Sequence, residues 1–235
     1  MTSKVRVAIC ISGHFRSIAS HIASFRKFIL NNQNVQYDVF IHTWSVIDRN
    51  AIPLSVDFLL KEYNPVKYII EPPMQFNITP LMNKMNFNFR DINGCLSMFY
   101  KIEQCNKLKH DFEIENNFTY DYAVRFRGDV ELLEPLNIID FDKNIVHIPS
   151  GGDYNGINDQ LAFGNSKLMD LYSSSYSNIE KYLLENITFN PEFFTNETIT
   201  RNNIPLNRFP LHYIIKWSNG HIWDNETRFQ KKPGR

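Results

Sequence analysis

The stretch Tyr120-Asp121-Tyr122-Ala123-Val124-Arg125-Phe126-Arg127-Gly128-Asp129-Val130-Glu131 constrains the fold of this 235-residue chain more than any other. Aromatic and β-branched residues crowd its first half, the profile of a buried strand. It then ends abruptly in charge. Alternate side chains of an extended backbone share a side, so Arg125 projects with Arg127, and Asp129 with Glu131. Two carboxylates on one side at a strand end offer oxygen ligands to a hard divalent cation, Mn²⁺ or Mg²⁺. A guanidinium fork close by matches a phosphate bidentately. The same residues also read as a strand that ends in a solvated turn, with arginine and aspartate paired across it.

The rest of the chain supplies the setting. Val5 to Ile11 reads as a buried strand, followed by the loop Ser12-Gly13-His14-Phe15-Arg16-Ser17 and a helical pattern through Ile18, Ile22, Phe25, Phe28 and Ile29. A strand, a short glycine loop and a helix N-terminus form a phosphate-binding unit, with Ser12, Gly13 and Arg16 placed to line it. Tyr37 to Trp44 reads as a second strand covered on both faces, because Val39 and Ile41 alternate with Phe40 and His42. His42, Thr43 and Trp44 fall at its carboxyl end, the edge where open α/β sheets bind ligands. Further expectations are a helix over 56–63, a strand over 66–70, a helix over 94–108, a strand over 145–149, a helix over 168–184, a short helix over 192–201 and a last strand over 209–217. Residues 74–90 read as a loop mobile over the site, and 231–235 as a basic tail. The whole, 1–235, reads as one α/β domain with a mostly parallel central sheet and helices on both faces.

Composition narrows the partners. The 25 basic and 25 acidic residues give no net charge and so no global field to attract nucleic acid. Three cysteines without close spacing do not suggest a disulfide framework or a zinc site. The first apolar run is too short to span a bilayer, which takes about 20 residues. These features predict a cytoplasmic protein with no integral membrane segment.

Four segments together resemble the small GT-A fold glycosyltransferases of large DNA viruses and bacterial surface-polysaccharide loci. They are Ala8 to Arg16, Asp38 to Trp44, Tyr122 to Asp129, and Asn158-Asp159-Gln160-Leu161-Ala162-Phe163-Gly164. The resemblance covers roughly residues 5 to 175. It implies a GT-A-like, Rossmann-related domain that moves a sugar from a nucleoside-diphosphate sugar, a UDP-sugar favoured, to a hydroxyl of a glycan acceptor. It further implies that Asp129 and Glu131 hold Mn²⁺ or Mg²⁺ against the leaving diphosphate. The family pattern is Asp-x-Asp, and glutamate stands here at the second position, which leaves open ligation directly, through water, or by Asp129 alone. Ser12, Gly13, Arg16, Thr43 and Arg127 would bind the donor. Asp159 would be the base for the acceptor hydroxyl, with Asp153 as second choice, and Gln160 would touch the donor sugar or stabilise oxocarbenium character. His212 and His221 lie where related folds sometimes add a metal ligand, and neither is assigned.

Two other readings remain open. A sugar-phosphate nucleotidyltransferase also opens with a strand, a glycine loop and an arginine, but its loop is richer in glycine than Ser12 to Arg16. A non-catalytic glycan- or nucleotide-sugar-binding protein of the same fold is permitted by Glu131.

Overall fold

The computed structural model describes residues 4–48, 51–77 and 91–226. Four strands follow the expected runs: β1 (Val5–Ser12), β2 (Val35–Trp44), β3 (Lys67–Glu71) and β4 (Tyr122–Arg127). They pair in parallel, with β1 between β2 and β4, and β3 outside β2. Next come β5 (Val130–Leu132), β6 (Val146–Pro149), β7 (Leu161–Gly164) and β8 (Leu206–Phe209). The main sheet runs β3-β2-β1-β4-β7-β6-β8. Strand β7 alone is antiparallel to its neighbours. The protein is thus a single mixed α/β domain.

Helices cover both faces. The period of two along β1 assigns them: Val7, Ile9 and Ile11 share a core with Ile22 and Phe25 of α1 (Ile18–Phe28) and with Leu59 and Tyr63 of α2 (Val56–Tyr63). Ala8 and Cys10 face the other way, into a core with Cys105 of α3 (Ile92–Glu115) and with Met169 and Tyr172 of α4 (Ser166–Tyr172). Fully burying a side chain such as Ile9 contributes about 1.5–3 kcal/mol. A one-residue slip of β1 would exchange the two faces at once.

Three expectations changed in detail. The predicted helix over 168–184 is two helices, α4 and α5 (Ser175–Leu184). Ser174 Oγ donates back to Leu171 O at 2.8 Å where the first one ends, a local bond that competes with helix propagation. The predicted strand over 209–217 is split by Pro210, which has no N–H to give a ladder. Its first residue, Phe209, ends β8. Its later part is β9 (Tyr213–Lys216), which forms a small antiparallel sheet between β5 and β10 (Ile222–Asp224). Helix α3 is longer than predicted. Asp91 caps it by accepting from Gly94 N at 3.0 Å, and Asn117, at φ 52°, follows its end. The last helix, α6 (Pro191–Arg201), begins with the side chain of Asn190 capping Glu192 N and Phe193 N. Residues 78–90 of the expected loop and the whole basic tail lie outside the described residues. No helix among the described residues is long and apolar enough to cross a membrane.

The α1 face encloses His21, fully buried and hydrogen-bonded to the Tyr63 hydroxyl. Burial lowers its pKa from 6.5 to about 4, although Asp129 and the backbone of Arg127 favour the charged form. The unfolded chain therefore binds the proton first as pH falls. We predict that stability is lost between pH 6.5 and about 4, and that His21→Leu flattens this slope in urea denaturation at stepped pH. An unchanged slope would assign the acid sensitivity to other groups.

Candidate functional site

A cleft of about 220 Å³ opens at the carboxyl ends of β1 and β4. There the strand order turns back on itself, since the chain leaves β1 towards β2 and later places β4 on the opposite side. Open α/β sheets bind ligands at such a switch point. The floor is the β1–α1 loop. Gly13 adopts φ +117°, which suits glycine alone, and its carbonyl accepts from Thr43 Oγ1 at 2.8 Å. Thr43 thus braces the loop from β2. Gly128 closes the end of β4, where an added Cβ would stand 3.1 Å from His14 O.

The wall is made by side chains that strand parity brings together. Arg125 and Arg127 of β4 project to the α3 side, opposite Val124 and Phe126, and line the cleft; Ser12 of β1 shares that side but does not line it. The first three turns of α3 close the cleft with Asp91, Gly94, Cys95, Ser97, Met98 and Lys101. Arg125 is 2% exposed and donates from Nη1 to Ser12 O at 3.0 Å. Lys101, equally buried, donates to Ser97 Oγ at 2.7 Å, and its ammonium lies 3.9 Å from the centre of the Trp44 ring. Burial lowers the Lys101 pKa well below the ordinary lysine value; Arg16 and Arg125 add to the effect and Glu71 opposes it. His14, also on the wall, is lowered to about 4, chiefly by burial and then by Lys101 and Arg16.

Asp129 sits in the cleft and is 1% exposed. Arg16 Nη1 reaches its Oδ2 at 2.9 Å and Arg127 Nη2 the same oxygen at 3.2 Å. Arg127 Nε lies 2.7 Å from Oδ1, an ion-pair contact whose N–H is not aligned as a hydrogen bond. Glu131 lies elsewhere. The backbone turns at Gly128-Asp129, so β4 and β5 are not one strand, and Glu131 stands opposite Ile214 in the small sheet. Its carboxylate is 2.7 Å from Lys216 Nζ, and it does not line the cleft. The shared side expected of Asp129 and Glu131 required a continuous strand, and the turn resets the alternation. In this arrangement the two carboxylates do not fit a divalent ion: one is held by two guanidinium groups, the other by an ammonium.

The described residues do contain a group that could hold a metal, His110, Glu113 and Asp170, with one donor atom each within 4.8 Å of the others. It lies towards the far end of α3, about 14 Å along the helix from Lys101 at 1.5 Å per residue. His110 is exposed, and Lys109 Nζ already stands 2.7 Å from Asp170 Oδ1 and 3.3 Å from Glu113 Oε2.

Residues 2–215 match the family model described as a domain of unknown function (DUF7796). The chain belongs to this family. No curated protein matches it. The DUF7796 match takes in every residue of the cleft.

The loop before β7 lies behind the wall of the DUF7796 cleft. Asp159 is 5% exposed; burial raises its pKa, while Arg127 and Arg125 pull the other way. Gln160 is fixed: its Oε1 accepts from Tyr213 OH at 2.7 Å, and its carbonyl from Arg127 N at 3.1 Å. Asp153, the second-choice base, is ion-paired with Arg208 at 2.7 Å and accepts from Asn158 N, which makes it a staple of its own loop. His212 pairs with Asp224, and His221 stacks on Trp217; neither lines the cleft.

Sequence reasoning missed Lys101 and Glu192. Lys101 had a readable signal, since Gly94, Ser97, Lys101 and Cys105 recur at helical spacing as a small and polar stripe on an otherwise apolar face. Glu192 gave none beyond starting a helix. Its pKa is raised to about 8 by burial and then by Asp159, with a further push from Asp153. Folding therefore holds a proton on Glu192 that the unfolded chain releases near 4.5, and this penalises stability as pH rises from that value to about 8. Glu192→Gln should stabilise the protein at pH 8 and leave it unchanged at pH 4. Equal effects at both pH values in thermal melts would refute the shift.

Proposed function

We propose that the protein is a nucleotide-sugar glycosyltransferase of GT-A type, acting on a nucleoside-diphosphate sugar and a glycan hydroxyl. The observation that supports this best is the cationic cleft at the sheet's switch point, with a buried carboxylate, Asp159, directly behind its arginines. In the reaction the acceptor oxygen forms a bond to the anomeric carbon. The bond from that carbon to the diphosphate oxygen breaks, and the electron pair leaves with the nucleoside diphosphate. Charge then develops on the leaving oxygens, where fixed cations in a water-poor site act most strongly. Arg125, Arg127 and Lys101 are those cations. The acceptor proton needs a base. Asp159 is the candidate: burial raises its pKa, Arg127 and Arg125 oppose that rise, and its neighbour Glu192, with a pKa raised to about 8, holds its own proton. The volume of the cleft, below the roughly 300–1,000 Å³ of whole-ligand pockets, suits the diphosphate rather than the complete donor.

A nucleotidyltransferase is disfavoured by the first loop, which has one glycine. Incubation with UDP-glucose, UDP-galactose, UDP-N-acetylglucosamine or GDP-mannose and a glycan panel tests the proposal. Release of free nucleoside diphosphate supports it, release of pyrophosphate from a nucleotide triphosphate and sugar phosphate would redirect it, and donor binding without turnover on any acceptor would leave a binding protein. Asp159→Asn should lower transfer by about 10²-fold while donor affinity holds. A loss confined to affinity would instead make Asp159 the group that positions Arg125 and Arg127.

A further inference from the structure

The cleft holds more positive charge than its own carboxylates use. Among the described residues its wall carries Arg16, Lys101, Arg125 and Arg127 against Asp91 and Asp129, in a chain with no net charge. Asp91 is engaged as the cap of α3. Asp129 is shared by Arg16 and Arg127. Among the described residues, Arg125 has no such carboxylate partner. Its Nε and Nη2 are buried and meet no hydrogen-bond acceptor, although Asp159 lends it a countercharge from behind. The Lys101 ammonium has three donors; among the described residues one is hydrogen-bonded, to Ser97 Oγ, and the ammonium also lies against the Trp44 ring. Glu71, its nearest carboxylate influence, is taken up by His42 at 2.8 Å. Buried charged donors left without acceptors are strongly unfavourable. Both groups border the same cavity, and a multiply charged oxyanion between them would satisfy the free N–H groups together.

We propose that the cleft binds a diphosphate directly through Arg125 and Lys101, with Arg127 beside them and no divalent ion between ligand and protein. The identity of that diphosphate as part of a sugar donor rests on the function proposed above; the anion site itself does not. Three features support direct binding. Both oxygens of Asp129 face guanidinium groups. Glu131 is withdrawn into the small sheet on Lys216. A divalent ion entering the cleft would meet the like charge of four side chains. The guanidinium fork of Arg125 matches one phosphoryl group bidentately, and the ammonium of Lys101 serves the other as a point charge. The depressed pKa of Lys101 agrees, since a nearby anion restores what burial removes.

Isothermal titration of the full chain with inorganic pyrophosphate and with UDP, each in EDTA and in Mn²⁺, tests this. We expect pyrophosphate to bind in EDTA and Mn²⁺ to bring no gain. Lys101→Gln and Arg125→Gln should each weaken it by about tenfold or more, Arg125→Lys should recover part of the loss, and Glu131→Gln should change nothing. Should Arg125→Gln fail to fold, Lys101→Gln carries the test alone, with cooperative melting as its control. Pyrophosphate binding only in Mn²⁺, no binding in either medium, or wild-type affinity in Lys101→Gln would overturn the proposal. Pyrophosphate bound in EDTA with UDP no tighter would uphold the anion site and remove the nucleotide-sugar reading. UDP bound only in Mn²⁺ would do the reverse.

Discussion

Everything around the cleft depends on a buried carboxylate that cannot be left alone. Asp129 stands at the turn between the two sheets, out of water, and two arginines from different parts of the chain neutralise it. Arg16 comes from the β1–α1 loop and Arg127 from the last residue of β4, so one side chain ties the first loop to the central strand. Removing either partner leaves an underneutralised charge in the interior, at a cost of about 3–5 kcal/mol for broken buried pairs. The turn that carries Asp129 also fixes the start of β5, whose backbone bonds position β9 and the small sheet. Gly128 permits the close approach to His14 O that this requires.

The fold was readable where periodicity was decisive. The β-branched and aromatic runs of β1, β2 and β4 leave little freedom, and alternation along Val39-Phe40-Ile41-His42 announced a sheet covered on both faces. Parity also placed Arg125 and Arg127 on one side of the sheet, which the cleft confirms. Parity failed where it was carried through a turn. Nothing local in Gly128-Asp129-Val130-Glu131 states that the chain leaves one sheet and joins another. That outcome is set by β9, some eighty residues later, which provides the partner for β5. Pro210 was the available warning that the apolar run over 209–217 could not serve as one strand, and Ser173-Ser174 gave a weaker one for the helix that divides.

For the site, the sequence revealed the floor better than the walls. A glycine loop after a strand has a local signature, and Gly13, Thr43 and Arg16 take up connected places in it, Thr43 as a brace and Arg16 as a partner of Asp129. The roles of Lys101, Glu192 and Asp153 depend on what lies across from them. Lys101 is set against the sheet end by the packing of α3 on β1 and β2, contacts between residues roughly sixty to ninety positions apart. Asp153 and Asp159 belong to the same loop and look alike in sequence. Arg208 stands opposite the first, while Arg125 and Arg127 face the second, and this alone separates a staple from a reactive candidate.

The same contrast explains why arginines near carboxylates do not by themselves mark a ligand site. Arg16 and Arg127 are as close to the cleft as Arg125, yet much of their charge is answered by Asp129. For Arg125 and Lys101 the described residues provide burial without a full set of acceptors, an arrangement that costs stability in the empty state. Low dielectric makes those unused donors strong towards an anion for the same reason that it makes them costly without one. The cleft therefore separates its cations into two kinds by partner, not by residue type. One pair of arginines holds the architecture together through Asp129. Among the described residues, Arg125 and Lys101 are left with hydrogen-bonding capacity that no acceptor of the chain completes.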